Sequence, residues 1–319
     1  MKIEVVTPAP PRSHNGNRVT ALRWARLLTE LGHTATVTTS WSGEPVDVLI
    51  ALHARRSAGA VRAFVVAHPG RPVVVALTGT DLYHDLPGSP EAQETIEAAT
   101  ALVVLQPLAL EAVPGRLRDR VRVIHQSVVA PVTGPATSDG GAFEVVFLAH
   151  LRAVKDPFLV AEATRLLPTR SRVRVTHLGA VIDPGTGERA RSETADNPRY
   201  EWLGDLPRPA VLRRLVESRL LVLTSRLEGG ANVVSEAMAT GTPVLSTRIA
   251  GSIGLLGADY PGYFEVGDAQ GLARLLGRAE TDAAFLDDLT ARIEARRDLV
   301  APARERRAWA ELLAAVAVF

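Results

Sequence analysis

Short apolar runs and helical segments alternate along this chain in two successive series, and that alternation restricts its fold more than any other feature. In the first series, apolar or β-branched runs at residues 3–6, 34–39, 46–52, 73–77, 101–105 and 121–124 are separated by helical patterns near 19–31, 58–67, 90–99 and 108–112. Runs that are apolar on both faces and separated by helices predict a parallel, doubly wound α/β sheet. A second series follows, with strands expected near 144–148, 173–178, 200–203, 220–223, 243–246 and 262–266, and helices near 157–167 and 209–217. Between them the chain turns rich in Pro, Gly, Ser and Thr, as a linker does. The expected organisation is a first domain over 1–130, a linker over 131–141, a second domain over 142–300 and a helix over 301–319 that crosses back to the first domain.

A length of 319 residues suits about two domains of ordinary size. The formal net charge of +1 argues against nucleic acid as a partner. Cysteine is absent, which removes disulfides, thiolate metal sites and a cysteine nucleophile. No apolar run approaches the roughly twenty residues of a membrane span, and no leader pattern precedes the first strand. A cytoplasmic protein without membrane insertion is expected. Doubly wound domains bind ligands beyond the carboxyl ends of their strands, so a ligand cleft is expected there, facing both domains.

The loops at those strand ends carry the chemistry. After the apolar run 220–223 comes Arg226-Leu-Glu-Gly-Gly-Ala-Asn-Val-Val-Ser-Glu236, which places Glu228 and Glu236 eight positions apart across a strand-to-helix turn. Gly229 and Gly230 remove bulk where the helix begins, so that backbone N–H groups can approach phosphate oxygens. Two carboxylates beside such a seat suit the hydroxyls of a sugar and a ribose. An ordinary crossover with solvated glutamates is the plainer reading, but the paired glycines and the flanking strands outweigh it. After the first strand of the second series, Arg152 and Lys155 stand three apart at a helix start, placed to share one anionic group. Lys2 and Lys155 are the only lysines of the chain. In the first series, His14-Asn-Gly-Asn-Arg18 and Thr78-Gly-Thr-Asp81 occupy strand-to-helix turns, and His53-Ala-Arg55-Arg56 follows a third strand. Asn17 reads equally well as an N-cap, Asp81 as a turn residue and the arginines as a solvated basic patch.

Taken together, Thr224-Ser-Arg-Leu-Glu-Gly-Gly, Glu236-Ala-Met-Ala-Thr-Gly-Thr-Pro-Val244, Arg152, Lys155 and Val123-Ile-His-Gln-Ser-Val128 resemble the retaining GT-B glycosyltransferases that carry an E-x7-E motif. The resemblance spans nearly the whole chain. It implies that Glu228, Gly229, Gly230, Ala231, Asn232 and Val233 hold the donor sugar and β-phosphate. It further implies that Glu236 holds the ribose, that Arg152 and Lys155 neutralise the diphosphate, and that Leu203 and Gly204, after Trp202, hold the base. Many relatives carry a histidine where this chain has Thr78-Gly-Thr-Asp81, so no donor-side catalytic histidine is assigned.

A narrower resemblance lies in Asn15-Gly-Asn-Arg18, Ala51-Leu-His-Ala-Arg-Arg-Ser57, Leu77-Thr-Gly-Thr-Asp-Leu-Tyr83, Glu228-Gly-Gly-Ala-Asn232 and Leu255-Leu-Gly-Ala-Asp-Tyr-Pro-Gly-Tyr-Phe264. These segments look like the selenosugar synthases of bacterial selenoneine biosynthesis. That subfamily is implied to join a hexose, of glucose or N-acetylglucosamine type, from a UDP-sugar to the selenium of selenophosphate. A neighbouring selenophosphate synthase is the implied functional partner. Selenophosphate is already a charged, soft nucleophile, so the acceptor side needs cations to hold it more than a general base. Gly16, Asn17, Arg18, His53, Arg55, Thr80 and Asp81 are the expected acceptor residues. No Asp-x-Asp occurs, and the anion seat with Arg152 and Lys155 covers the charge on the leaving diphosphate, so neither metal nor cofactor is expected. A hexosyltransferase acting on a hydroxyl, a non-catalytic nucleotide-sugar sensor and a dinucleotide dehydrogenase lacking its glycine fingerprint are the rival readings.

Overall fold

A computed structural model describes residues 1–13, 16–129 and 141–317. The expected linker lies outside the described residues except for Gly141, as do His14 and Asn15. The chain divides into two compact units: Met1–Ser127 with Glu228–Asn232 and Pro302–Phe319, and Val128–Leu227 with Val233–Ala301.

The first unit is built from β1 (Lys2–Val6), α1 (Gly16–Glu30), β2 (Thr34–Thr38), β3 (Val48–Leu52), α2 (Ala58–Ala67), β4 (Val73–Leu77), α3 (Pro90–Ala98), β5 (Ala101–Val104) and β6 (Val121–Val123). Its six strands pair in the order β2-β1-β3-β4-β5-β6, and every pair is parallel. The runs that read as continuously apolar are the central strands: β3 and β4 are buried at every position. One core layer packs Val61 and Phe64 of α2 and Ile96 of α3 against one face of the sheet, while Trp24, Leu27 and Leu28 of α1 cover the other. The segment expected as a helix near 108–112 is a 3-10 turn, Pro107–Ala112, capped by the Gln106 side chain accepting from Leu108 N at 2.7 Å. Pro107 supplies the first helical residue, and the run is too short to settle into α geometry.

The second unit comprises β7 (Phe143–Leu148), α4 (Leu159–Arg165), β8 (Val173–Leu178), α5 (Thr186–Asp196), β9 (Tyr200–Trp202), α6 (Arg208–Glu217), β10 (Leu220–Leu223), α7 (Asn232–Thr240), β11 (Val244–Thr247), α8 (Ala250–Leu256), β12 (Tyr263–Phe264), α9 (Ala269–Thr281) and α10 (Ala283–Glu294). The strand order is β12-β11-β10-β7-β8-β9, again wholly parallel. Counted from the first strand of this unit the order is 3-2-1-4-5-6, the dinucleotide-fold arrangement, and the chain reverses its direction of winding between β7 and β10. Loops leaving the carboxyl ends of those two neighbours flank the place where such sheets bind ligands.

The final helix, α11 (Pro302–Val316), packs Trp309, Leu312, Leu313 and Val316 into the α1 side of the first unit. Trp309 meets Trp24 edge to face, with ring centroids 4.8 Å apart. No helix among the described residues is long and apolar enough to cross a membrane.

Candidate functional site

At the switch point of the second sheet, the loop after β7 and the loop after β10 are laced together. Arg226 N donates to Val154 O at 2.9 Å, and Thr224 Oγ1 donates to the carbonyls of Lys155 and Asp156 at 2.7 and 3.0 Å. Arg226 also pairs its guanidinium with the Asp156 carboxylate at 2.6 Å. Arg152 is the extended N-cap residue of a single 3-10 turn, Ala153–Lys155, so the two predicted phosphate cations stand at the two ends of one tight turn, and both are half-buried. The turn is clamped from the β8 side: Ala153 N donates to Asp183 Oδ2 at 2.7 Å, and Leu151 exchanges backbone hydrogen bonds with Ala180, Ile182 and Asp183.

A buried histidine fixes the start of this loop. His177, fully buried on β8, sits 2.8 Å through Nε2 from the Ala149 carbonyl and 2.5 Å through Nδ1 from the Tyr200 hydroxyl. A carbonyl only accepts, so Nε2 carries the proton and the tyrosine donates to Nδ1. Burial lowers the imidazole pKa to about 4, which keeps the ring neutral at physiological pH. After β9, Leu203 N donates to His177 O at 3.0 Å and Gly179 N to Gly204 O at 2.8 Å, so the predicted base-holding residues are hydrogen-bonded to the β8 end.

Glu236 lies in the middle of α7 and is only 3% exposed. Its Oε1 meets Arg208 Nη1 of α6 at 2.6 Å. The pairing gives a buried carboxylate a cationic partner, as such a group requires. Arg208 is the residue that the sequence reading missed here. It follows Pro207 at an unremarkable helix start, and nothing in its local pattern links it to a carboxylate on another helix.

In the first unit, the predicted donor glycines and the predicted acceptor loop come together. A side chain at Gly229 would place its Cβ 2.4 Å from the Thr78 carbonyl oxygen, and one at Gly79, whose φ is +133°, would lie 2.6 Å from Gly229 N. A Cβ on Gly230 would fall 2.7 Å from Leu105 Cβ. The glycine pair is therefore required by backbone packing against Thr78, Gly79 and Leu105, a reason separate from the phosphate approach inferred from the sequence. Ala231 is buried beside it, while Glu228, Asn232 and Val233 are half-buried.

Asp81 is fully buried and organises the loop after β4, the predicted acceptor loop. Its Oδ1 accepts from the amides of Thr78 and Gly79 at 2.9 and 2.8 Å, and its Oδ2 from Ala54 N at 3.0 Å. With both oxygens occupied by backbone N–H groups, it shapes the turn. Thr80 Oγ1 lies 3.2 Å from Nε2 of His53, a buried residue with φ of +74°. A positive φ is uncommon at a residue other than glycine, though histidine adopts it more readily than most, and it persists where the surroundings impose it. His53 Nδ1 accepts from Arg56 N at 3.3 Å, leaving the proton on Nε2. Burial, the largest influence, lowers its pKa, and the Asp81 carboxylate offsets only part of that effect. His53 is therefore a neutral donor, whereas the sequence reading counted it among the cations.

Arg55 is exposed and bonds Asp85 at 3.1 Å. Asp85 also accepts from His84 Nδ1 at 3.0 Å. Burial pushes the Asp85 pKa up, but the hydrogen bonds from His84 and Arg55 outweigh it and the carboxyl ends below its ordinary value. Asp85 thus partly neutralises Arg55. Gly16 and Asn17 form the first turn of α1, which begins earlier than the sequence reading placed it, so Asn17 lies inside the helix and is not its N-cap. Arg18 follows in the same turn, half-buried, with a buried Nε that has no hydrogen-bond partner. Among the described residues no group of three or more His, Asp or Glu side chains is placed to hold a metal ion.

The fold and the switch-point loops define a GT-B-type α/β protein, two Rossmann-like units each with a six-stranded parallel sheet. The family model described as glycosyl transferases group 1 matches residues 135–305, more than half of the chain, and the chain belongs to that family. A search of curated proteins by sequence finds no match. Among solved structures, sucrose-phosphate synthase from Thermosynechococcus elongatus superposes with a TM-score of 0.80 at 13% identity, covering 99% of this chain and 98% of that one. Anabaena HepE, solved in complex with UDP and glucose, gives a TM-score of 0.77 at 16% identity, covering 99% of this chain and 100% of that one. A glycosyltransferase from Rickettsia africae gives 0.73 at 13% identity, covering 99% and 98%. At such identities the likeness establishes the fold.

Proposed function

We propose that this glycosyltransferase moves a hexose from a UDP-sugar to the selenium of selenophosphate, the reaction of the selenosugar synthases. The bond from the anomeric carbon to the UDP oxygen breaks with its electron pair going to UDP, and the carbon–selenium bond forms. Water then cleaves the selenium–phosphorus bond and phosphate leaves. The observation that carries the donor half is the joined pair of loops at the β7/β10 switch point, with Arg152 and Lys155 at the two ends of a single tight turn. Two cations on a rigid turn stabilise charge as it builds on the departing diphosphate, without a metal. Glu236, paired with Arg208, takes the ribose hydroxyls. Glu228 and the amides of Gly229 to Asn232 take the sugar and β-phosphate, and Leu203 and Gly204 take the uracil. That HepE was solved with UDP supports the choice of nucleotide.

The acceptor half rests on the first-unit loops that carry the narrower resemblance. Arg18 and Arg55 supply the positive charge, while Thr80, whose hydroxyl oxygen accepts from neutral His53, turns its own O–H to the selenophosphate oxygens. No side chain in this loop needs to remove a proton, because the nucleophile is already an anion. The test is incubation of the protein with a panel of UDP-sugars, with and without selenophosphate, read by mass spectrometry. A selenium-bearing hexose that forms together with UDP is the expected result. UDP release that ignores selenophosphate and needs a hydroxyl acceptor would replace this reading with that of an ordinary hexosyltransferase.

A further inference from the structure

A buried polar network inside the first unit ends on the glycine pair. Glu305 of α11 is 1% exposed and accepts from Arg23 Nε at 3.1 Å, from Trp24 Nε1 at 2.7 Å and from the Ser127 amide at 2.8 Å. Arg23 in turn donates through Nη1 to Asn232 Oδ1 at 3.3 Å. Gln126, 3% exposed, lies between them. Its amide is oriented by its neighbours. With the oxygen accepting from Arg23 Nη2 at 3.3 Å and Thr20 Oγ1 at 2.6 Å, the nitrogen donates to Gly230 O at 2.9 Å and Asn232 Oδ1 at 3.0 Å.

The bond to Gly230 O matters because of what a peptide plane is. In a trans peptide the carbonyl of one residue and the N–H of the next point in opposite directions, so fixing one fixes the other. With glycine at 230, that plane has unusual freedom to rotate on its Gly230 side. Gln126 removes the freedom at the Gly230–Ala231 peptide. We propose that Gln126, held by Arg23 and Glu305, is a positioning residue that locks this peptide in the orientation presenting the Ala231 N–H to the donor diphosphate. The C-terminal helix then takes part in donor recognition through Glu305 while touching no substrate. This inference rests on the reading of Glu228–Asn232 as the donor seat.

Burial makes the chain of contacts directional. Glu305 neutralises Arg23, a charge that is itself nearly buried, and Arg23 leaves Gln126 only one favourable amide orientation. Gln126→Glu separates this role from mere packing. The variant keeps the size of the side chain and its bond to Arg23, but has no N–H to give Gly230 and faces its carbonyl with a carboxylate oxygen. Gln126→Met keeps the length and removes the polarity, and serves if the first variant does not fold. For either, turnover should fall on the order of a hundredfold, the scale seen when one oriented backbone donor is lost, with UDP binding about tenfold weaker. The acceptor KM should stay unchanged. Calorimetry with UDP and steady-state kinetics on the full chain measure these. A variant that folds, binds UDP as wild type does and turns over at the wild-type rate overturns the lock. A wild-type chain that binds no UDP overturns the donor reading beneath it.

Discussion

The loop after β7 and the loop after β4 both leave the carboxyl end of a central parallel strand, yet they are held in shape by different means. The β7 loop is fixed chiefly through its backbone: Leu151 bonds Ala180, Ile182 and Asp183, and Ala153 N is clamped by the Asp183 carboxylate. The β4 loop is fixed by side chains turned inward, with Asp81 collecting three backbone amides and His53 strained into a positive φ. The difference teaches where function can be changed without changing shape. On the proposed donor side Arg152 and Lys155 ride on a turn held by other groups, whereas on the proposed acceptor side several polar residues are spent on the architecture itself.

The largest effect that sharpens this contrast is Asp81→Ala. It leaves three buried amides without an acceptor, and charge-assisted bonds of this type are worth roughly 1.5 to 3 kcal/mol each. A loss of about 4 kcal/mol or more in unfolding free energy is expected by urea titration; a variant as stable as wild type would show that the loop is not held in this way. Next comes Arg152→Ala, which should cut turnover about 10² to 10³-fold while leaving the melting temperature within a degree or so. A large drop in melting temperature would mean that the arginine holds the turn after all.

The third effect is pH dependence. The His177 pKa is lowered to about 4 by burial, so the stability tied to its neutral form is complete above the ordinary imidazole value of 6.5. As pH falls from about 6.5 toward about 4, up to roughly 3 kcal/mol of stability is lost, and His53, lowered for the same reason, adds in the same direction. Urea midpoints that stay flat across that range would contradict the neutral, buried assignment. The smallest effect on catalysis is Arg208→Ala: it takes the cation from the buried Glu236 carboxylate and should appear as a few-fold rise in donor KM, and an unchanged KM would detach Arg208 from the proposed ribose contact.

Much of this was legible from residue order. Uninterrupted apolar runs such as 48–52 and 220–223 marked the strands buried on both faces, because only a sheet covered by helices can absorb them. The glycine pair of the E-x7-E turn was legible as a place of close approach, but its packing partners Thr78, Gly79 and Leu105 lie far off in sequence and were not. What escaped was contact across long sequence separation. Arg208 reaches Glu236, Arg23 reaches Glu305, and Gln126 reaches Gly230, each from an element whose own periodicity is that of an ordinary helix or strand end. The charge of His53 was misjudged for a similar reason: the neighbouring arginines are visible in the sequence, while the burial that keeps the imidazole neutral is a property of the fold.

The account stands on the β7/β10 switch point as the seat of the nucleotide diphosphate. Titrating UDP into wild type and into the Arg152→Ala/Lys155→Ala variant by calorimetry addresses it directly. Binding weaker by at least about tenfold, the loss of one to two charged contacts, at an unchanged melting temperature is the predicted result. Equal affinity in the two proteins would place the diphosphate elsewhere and contradict the account.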